Sequence, residues 1–159
     1  MKLEFDVKIN ASVLYDYMLH HTYTSASGLM GTGVGALLIV AYGWNRSIYL
    51  LLAGIVILAY LPWTLFIRSR KQALMNPVFK NPLHYKMDEE GITVSQGEYE
   101  EHIDWSGIVK AQATNRSIFV YTSKVNAWIF PKADLGEDRM KVIEILSTHM
   151  SPDRIKIKQ

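Results

Sequence analysis

The stretch AYGWNRSIYLLL, Ala41 to Leu52, decides what kind of chain this is. Three polar residues, Asn45-Arg46-Ser47, interrupt a long apolar run, and between Ser25 and Ile67 the only formal charge is Arg46. Ser25–Trp44 lies before the break and Ile48–Ile67 after it, each as long as the ~20 helical residues that cross a hydrocarbon layer of roughly 30 Å. A single helix through both would be about 65 Å long and would hold Arg46 near the bilayer centre, at a cost of about 2.5–3.5 kcal/mol. A tight turn at Asn45-Arg46-Ser47 removes both difficulties and predicts a transmembrane helical hairpin, spans 25–44 and 48–67.

Aromatic rings support this. Tyr42, Trp44 and Tyr49 flank the turn, and Tyr23, Trp63 and Phe66 lie toward the other end, where amphipathic rings prefer the interface. The spans begin too late, and are too long, for a cleaved signal peptide. Basic residues set the orientation. Arg46 stands alone on the turn side, whereas Lys8, Arg68, Arg70, Lys71 and Lys80 flank the opposite side, so both termini are expected in the cytoplasm of a multi-pass protein of the cell membrane. The first span carries Ser27, Gly31 and Gly35 on one stripe at four-residue spacing, which suits close helix packing, either against Ala53 or Gly54 of the second span or in a homodimer. Neither span holds an acidic residue, lysine or histidine, so no ion pathway is expected within them.

The average composition, 49% apolar and 20% charged, conceals this segregation. A net charge of +2 is too small to indicate a nucleic-acid partner. The chain has no cysteine, which excludes disulfides, thiolate metal sites and cysteine nucleophiles.

Outside the hairpin the pattern becomes that of a mixed domain. In region 1–24, KLEFDVKI alternates apolar and charged residues as a half-buried strand does. SVLYDYMLHHTY then predicts an amphipathic helix capped by Ser12, with Leu14, Tyr17, Met18 and His21 on one face and a place at the membrane interface. Region 68–82 reads as a basic connector broken by Pro77 and Pro82. Region 83–159 reads as six strands: LHYKMD, ITVSQ, YEEHIDW, IVKAQAT, SIFVYTS and NAWIFP. A closing helix follows, with Met140, Ile143, Leu146 and Met150 as its apolar stripe and Glu137 placed to pair with Lys141. With the N-terminal strand crossing back, about seven strands and a capping C-terminal helix give the layout of a pleckstrin-homology-like (PH-like) antiparallel barrel or sandwich. The expected fold class is therefore α+β: a two-helix transmembrane hairpin joined to a PH-like body.

YKMDEEGITVS and HIDWSGIVKAQATNRSIFVYTSKVNAWIFPKADL resemble the C-terminal domain of the YcxB-like proteins, small bacterial membrane proteins with two spans ahead of it. The matching elements are the acidic-glycine turn Glu90-Gly91-Ile92, the segment Trp105-Ser106-Gly107-Ile108-Val109-Lys110, and Ile129-Phe130-Pro131-Lys132, where Phe130 is inserted relative to the family's bare I-P-K. The resemblance implies a fold and a location, and no reaction.

Candidate chemistry is sparse. Glu100, His102 and Asp104 share one strand face, with His84 on a neighbouring strand, and histidine with two carboxylates is a donor set for a divalent metal or for acid–base work. A solvated strand face gives the same pattern, so no metal, cofactor, catalytic residue or small-molecule substrate is expected. Arg68, Arg70 and Lys71, together with Arg154, Lys156 and Lys158 of the alternating tail, are placed to meet an anionic membrane surface, although a strand-paired tail fits equally. The expected partners are the lipid bilayer and another membrane protein or a second copy, in a non-enzymatic interaction or scaffold role. Two alternatives stand behind it: self-protection of the envelope against stress or a peptide toxin, and, least favoured, a metal-dependent enzyme.

Overall fold

A computed structural model describes residues 2–157 of the 159. Strand β1 (Leu3–Val7) opens the fold, followed by helices α1 (Ala11–Thr24), α2 (Ala26–Asn45) and α3 (Ile48–Met75). The remainder is β2 (Leu83–Met87), β3 (Gly91–Gln96), β4 (Tyr99–Asp104), β5 (Lys110–Ala113), β6 (Ser117–Tyr121) and β7 (Ala127–Pro131), then the short α4 (Lys132–Leu135), α5 (Arg139–His149) and β8 (Ile155–Lys156).

Helices α2 and α3 are both long and apolar enough to cross a membrane, and only 11% of either apolar window is buried. Leu37, Trp44, Tyr49, Val56, Tyr60 and Trp63 all point outward. Such faces do not belong to core helices of a soluble bundle, which bury their apolar stripe. The helices are joined as their sequence dictates: Arg46 takes the left-handed conformation (φ 54°) and its N–H returns to the Tyr42 carbonyl at 2.8 Å, closing α2. Gly35 is buried where the helices cross. A Cβ there would lie 2.8 Å from Leu58, and one on Gly54 would lie 2.7 Å from Ile39 and 2.9 Å from the Gly35 carbonyl. The small residues therefore serve contact within the hairpin. Ser27 does not share in it: it is exposed, with its hydroxyl 3.1 Å from that of Ser25, so its assignment to helix packing is corrected.

The second helix runs eight residues beyond the expected span, so Arg68–Met75 is helical and not part of a connector. Its C-terminal sequence is rich in good helix formers, and it stops at Asn76, the residue before Pro77, where α geometry is disfavoured. The Asn76 side chain then accepts the Val78 N–H at 3.1 Å and starts a 3₁₀ turn, Pro77–Phe79. At the other end of the hairpin there is no loop at all. Ser25 alone separates α1 from α2: its N–H and its hydroxyl both donate to the Thr22 carbonyl, while its Oγ accepts the Gly28 N–H at 3.3 Å. Asn10, and not Ser12, caps α1, by accepting the Val13 N–H at 3.0 Å.

Among the described residues the β part comprises eight strands in two four-stranded sheets, ordered β1-β2-β3-β4 and β7-β6-β5-β8, one more than the sequence pattern predicts. The eighth comes from the tail, which pairs in parallel with β5 through Ala111–Ile155 and Gln112–Lys156. β1 returns from across the hairpin to pair antiparallel with β2, in a register that sets Phe5 opposite Tyr85. Between the sheets lie Val7, Met87, Ile92, Ile118 and Phe130, all fully buried, with α5 contributing Val142, Ile143, Ile145 and Leu146, while Phe119 is buried on the other face of β6, under α1. Met140, in the first turn of α5 beyond the 3₁₀ turn Gly136–Asp138, is exposed and drops out of the expected stripe, while Ile143, Leu146 and Met150 are buried. The ion pair at that turn is Lys141 with Asp138 at 2.7 Å, three residues apart, and not with Glu137.

Candidate functional site

Helix α1 is the piece that ties the hairpin to the sheets. Ser12, Asp16 and His20 recur every four residues and therefore share one helical face. They meet alternate residues 116, 114 and 112 of β5 and the turn that follows it: Arg116 donates to Ser12 Oγ at 3.3 Å, Thr114 donates to Asp16 Oδ2 at 2.6 Å, and His20 Nε2 lies 3.2 Å from Gln112 Oε1. Beside this polar ladder, Tyr17 meets Phe119 edge-on at 5.4 Å and donates its hydroxyl to the Val125 carbonyl at 2.8 Å. Amphipathicity had placed this helix at a membrane surface. Its apolar face in fact covers the second sheet, while Leu65 and Ser69 of α3 are buried on the helix that packs beside it.

Where α1, the lower end of α3 and the two sheets meet, the surface opens into two adjoining hollows that share Tyr17, Met18, Gln72, Asn76 and Val125. The inner one, about 560 Å³, is floored by Tyr85, Val94 and Trp128 and reaches Tyr99 and Glu101 on the edge strand β4. Tyr99 donates to Glu101 Oε2 at 2.7 Å, and that bond pushes the phenol's pKa up. Burial raises that of Tyr85, so both phenols stay neutral at ordinary pH. The outer hollow, about 620 Å³, lies against α3 and is lined by Leu65, Arg68, Lys71 and Met75 from that helix and by His21 from α1. Hollows of this size, mostly apolar with a few polar groups at the ends, have the dimensions and lining of small-molecule sites.

The polar face proposed from sequence is elsewhere. Glu100, His102 and Asp104 lie on the exposed side of β4, where His102 Nε2 sits 3.2 Å from Asp104 and its Nδ1 2.8 Å from the Thr93 hydroxyl. His84 does not join them, since it is on β2 and turns to Asp6 on β1 at 2.8 Å, with Glu4 at 3.9 Å. Among the described residues no group of three or more histidine or acidic side chains is placed to hold a metal ion.

The basic residues part company too. Arg68 and Lys71 line the outer hollow, while Arg70 lies over the Phe66 ring at 4.6 Å. Arg154 is turned inward, donating to the Ile108 carbonyl at 2.8 Å and to Ser151 Oγ at 3.1 Å, so it holds the tail to the body and is corrected as a membrane contact. Lys156 is exposed on β8, and Lys158 lies outside the described residues.

The outer hollow carries a pH dependence. His21 stacks beside Tyr17 and Tyr121, and burial, with the fields of Lys110 and His20, holds its pKa below the usual histidine value. The unfolded chain takes up that proton near pH ~6.5, so below this value it binds more protons than the folded chain and the folded state loses stability. Above it the two states are equally deprotonated and His21 contributes no slope. Lowering the pH from 7 to 5 is therefore expected to reduce the melting temperature of the detergent-solubilised protein, and His21→Gln should remove part of that reduction. An identical pH profile for the variant would refute the assignment.

The residues shared with the family serve the architecture. The Asp88 carboxylate accepts the N–H groups of Glu90 and Gly91 at 3.1 and 3.3 Å, and Trp105 donates its indole N–H to the Asp88 carbonyl at 3.0 Å while stacking on His149 at 4.7 Å. Lys132 crosses to the Thr114 carbonyl at 2.6 Å, beside the ladder that holds α1. No curated protein and no solved structure matches the chain. Residues 88–145, from the acidic turn through most of α5, match the family model described as YcxB-like protein.

Proposed function

We propose that this chain is a two-span protein of the cell membrane, with both termini cytoplasmic, whose PH-like body is a non-enzymatic binding module held at the bilayer surface. The observation that carries the reading is the outward-facing apolar surface of the hairpin, which is costly in water and at home in lipid. Two sheets ordered β1-β2-β3-β4 and β7-β6-β5, closed by a C-terminal helix, support the PH-like description. The partner in this reading is another membrane protein or a second copy. Because Gly35 already faces Gly54 of its own chain, that partner would use the groove or the edge strand β4, not the glycine stripe.

The absence of cysteine makes the test clean, because any single introduced thiol is the only one. Asn45→Cys at the hairpin tip should react with a membrane-impermeant maleimide on intact cells. Lys124→Cys in the turn between β6 and β7 should react only after permeabilisation. The reverse pattern would invert the orientation, and labelling of both in intact cells would refute the two-span reading.

A further inference from the structure

We infer that the outer groove between α1 and α3 seats the headgroup of an anionic phospholipid from the surrounding bilayer, with Arg68 and Lys71 pairing its phosphate. The inference rests on the membrane reading above and adds to it a ligand and a place. Arg68 directly follows Ile67, the end of a twenty-residue apolar run, so it stands at headgroup level if that run crosses the ~30 Å hydrocarbon layer. Arg68 and Lys71 are three residues apart on α3 and so share a face, and both line the groove.

What singles these two out is that they line one recess together without an ion pair; among the described residues Lys80, Lys124 and Arg139 are likewise unpaired but line neither hollow. Lys86 and Lys141 are in ion pairs, Lys132 and Arg154 hold backbone carbonyls, and Arg70 and Lys110 lie over aromatic rings. Arg68 and Lys71 form no ion pair among the described residues, and no acidic side chain lines the groove they share. Two cations left facing an apolar-walled recess, with Gln72 beside them as a further donor, are complementary to a phosphodiester. Met18, Met75 and Val125 line the same recess and give the lipid's glycerol and upper acyl region apolar contact beside the two cations. Leu65, one turn nearer the hairpin, gives the acyl chain an apolar path along α3 toward the membrane.

The test is native mass spectrometry of the full chain in non-ionic detergent, given equal amounts of phosphatidylglycerol and phosphatidylcholine with identical acyl chains. The wild type should retain the anionic lipid about tenfold over the neutral one. Arg68→Gln combined with Lys71→Gln should bring the ratio near unity, and Met75→Glu, an exposed position that leaves the core untouched, should lower it as well. Arg70→Gln combined with Lys80→Gln, which removes the same charge outside the groove, should leave the preference intact. An absent preference in the wild type, a preference unchanged by the groove variants, or an equal loss in the control pair would each overturn the inference. Displacement of the lipid by millimolar inorganic phosphate would overturn it in favour of a free-anion site. Failure here with correct thiol labelling at Asn45→Cys and Lys124→Cys would leave the two-span reading standing, so the two failures are distinguishable.

Discussion

Replacing Gly28 with alanine is expected to break the joint between α1 and the hairpin. A Cβ on Gly28 would lie 2.0 Å from the Thr22 carbonyl oxygen and 2.7 Å from its carbon. These are backbone atoms of α1, so no side-chain rotation relieves the overlap. One of the two helices must move. Helix α1 is fixed by the ladder of Ser12, Asp16 and His20, and α2 by its contact with α3, so the cost should reach or exceed the ~3 kcal/mol upper end usual for overpacking. Expected outcomes are a large fall in melting temperature in detergent and rapid proteolysis within α1. Gly33→Ala is the control, because a Cβ there meets nothing within 4 Å, and it should melt with the wild type. Equal behaviour of the two variants would show that the one-residue joint at Ser25 yields more readily than its geometry implies.

The fate of α1 shows which physical information a sequence carries. Its apolar face was legible, because Leu14, Tyr17 and Met18 recur at helical spacing, but periodicity says that a face is covered and not by what. The cover is the second sheet, built from residues a hundred positions later, and only the matched spacing of Ser12, Asp16 and His20 with Gln112, Thr114 and Arg116 hints at it. The hairpin was legible because its physics is local, resting on two uncharged runs and a turn. The helical reach of α3 to Met75 was not, because charge marks where lipid ends and helix formation follows propensity and packing.

The groove was invisible for a stronger reason. Its lining comes from α1, the end of α3, the 3₁₀ turn at Pro77–Phe79, the first sheet and the turn before β7, segments that run from Ile9 to Ile129 and that no local window of sequence brings together. The family elements were visible as spacing, and the structure supplies their cause. Gly91 is glycine because a Cβ there would sit 2.2 Å from the Ile103 carbonyl oxygen, and Trp105 follows at the distance that lets its indole return to the carbonyl of Asp88. The phenylalanine inserted before Pro131 became the core of the body.

That residue carries the other large expected effect. Phe130 is fully buried on β7 and meets Phe5 of β1 edge-on at 5.2 Å and Tyr85 of β2 at 4.8 Å, so a single ring from the second sheet fills the space against two strands of the first. Phe130→Ala should cost about 3–5 kcal/mol, since the neighbouring rings, locked by strand pairing, cannot collapse into the void. Phe130→Leu keeps most of the volume and should lose less. Denaturant titration in detergent, followed by tryptophan emission, measures both. Trp63→Ala removes as large a ring from the outward face of α3 and should leave the stability of the body unchanged. Because Phe130 touches neither α2 nor α3 in these ring contacts, the maleimide pattern of Asn45→Cys should survive Phe130→Ala even as the body loosens. A loss below about 1 kcal/mol would mean the sheets are held together chiefly by α5 and not by this ring.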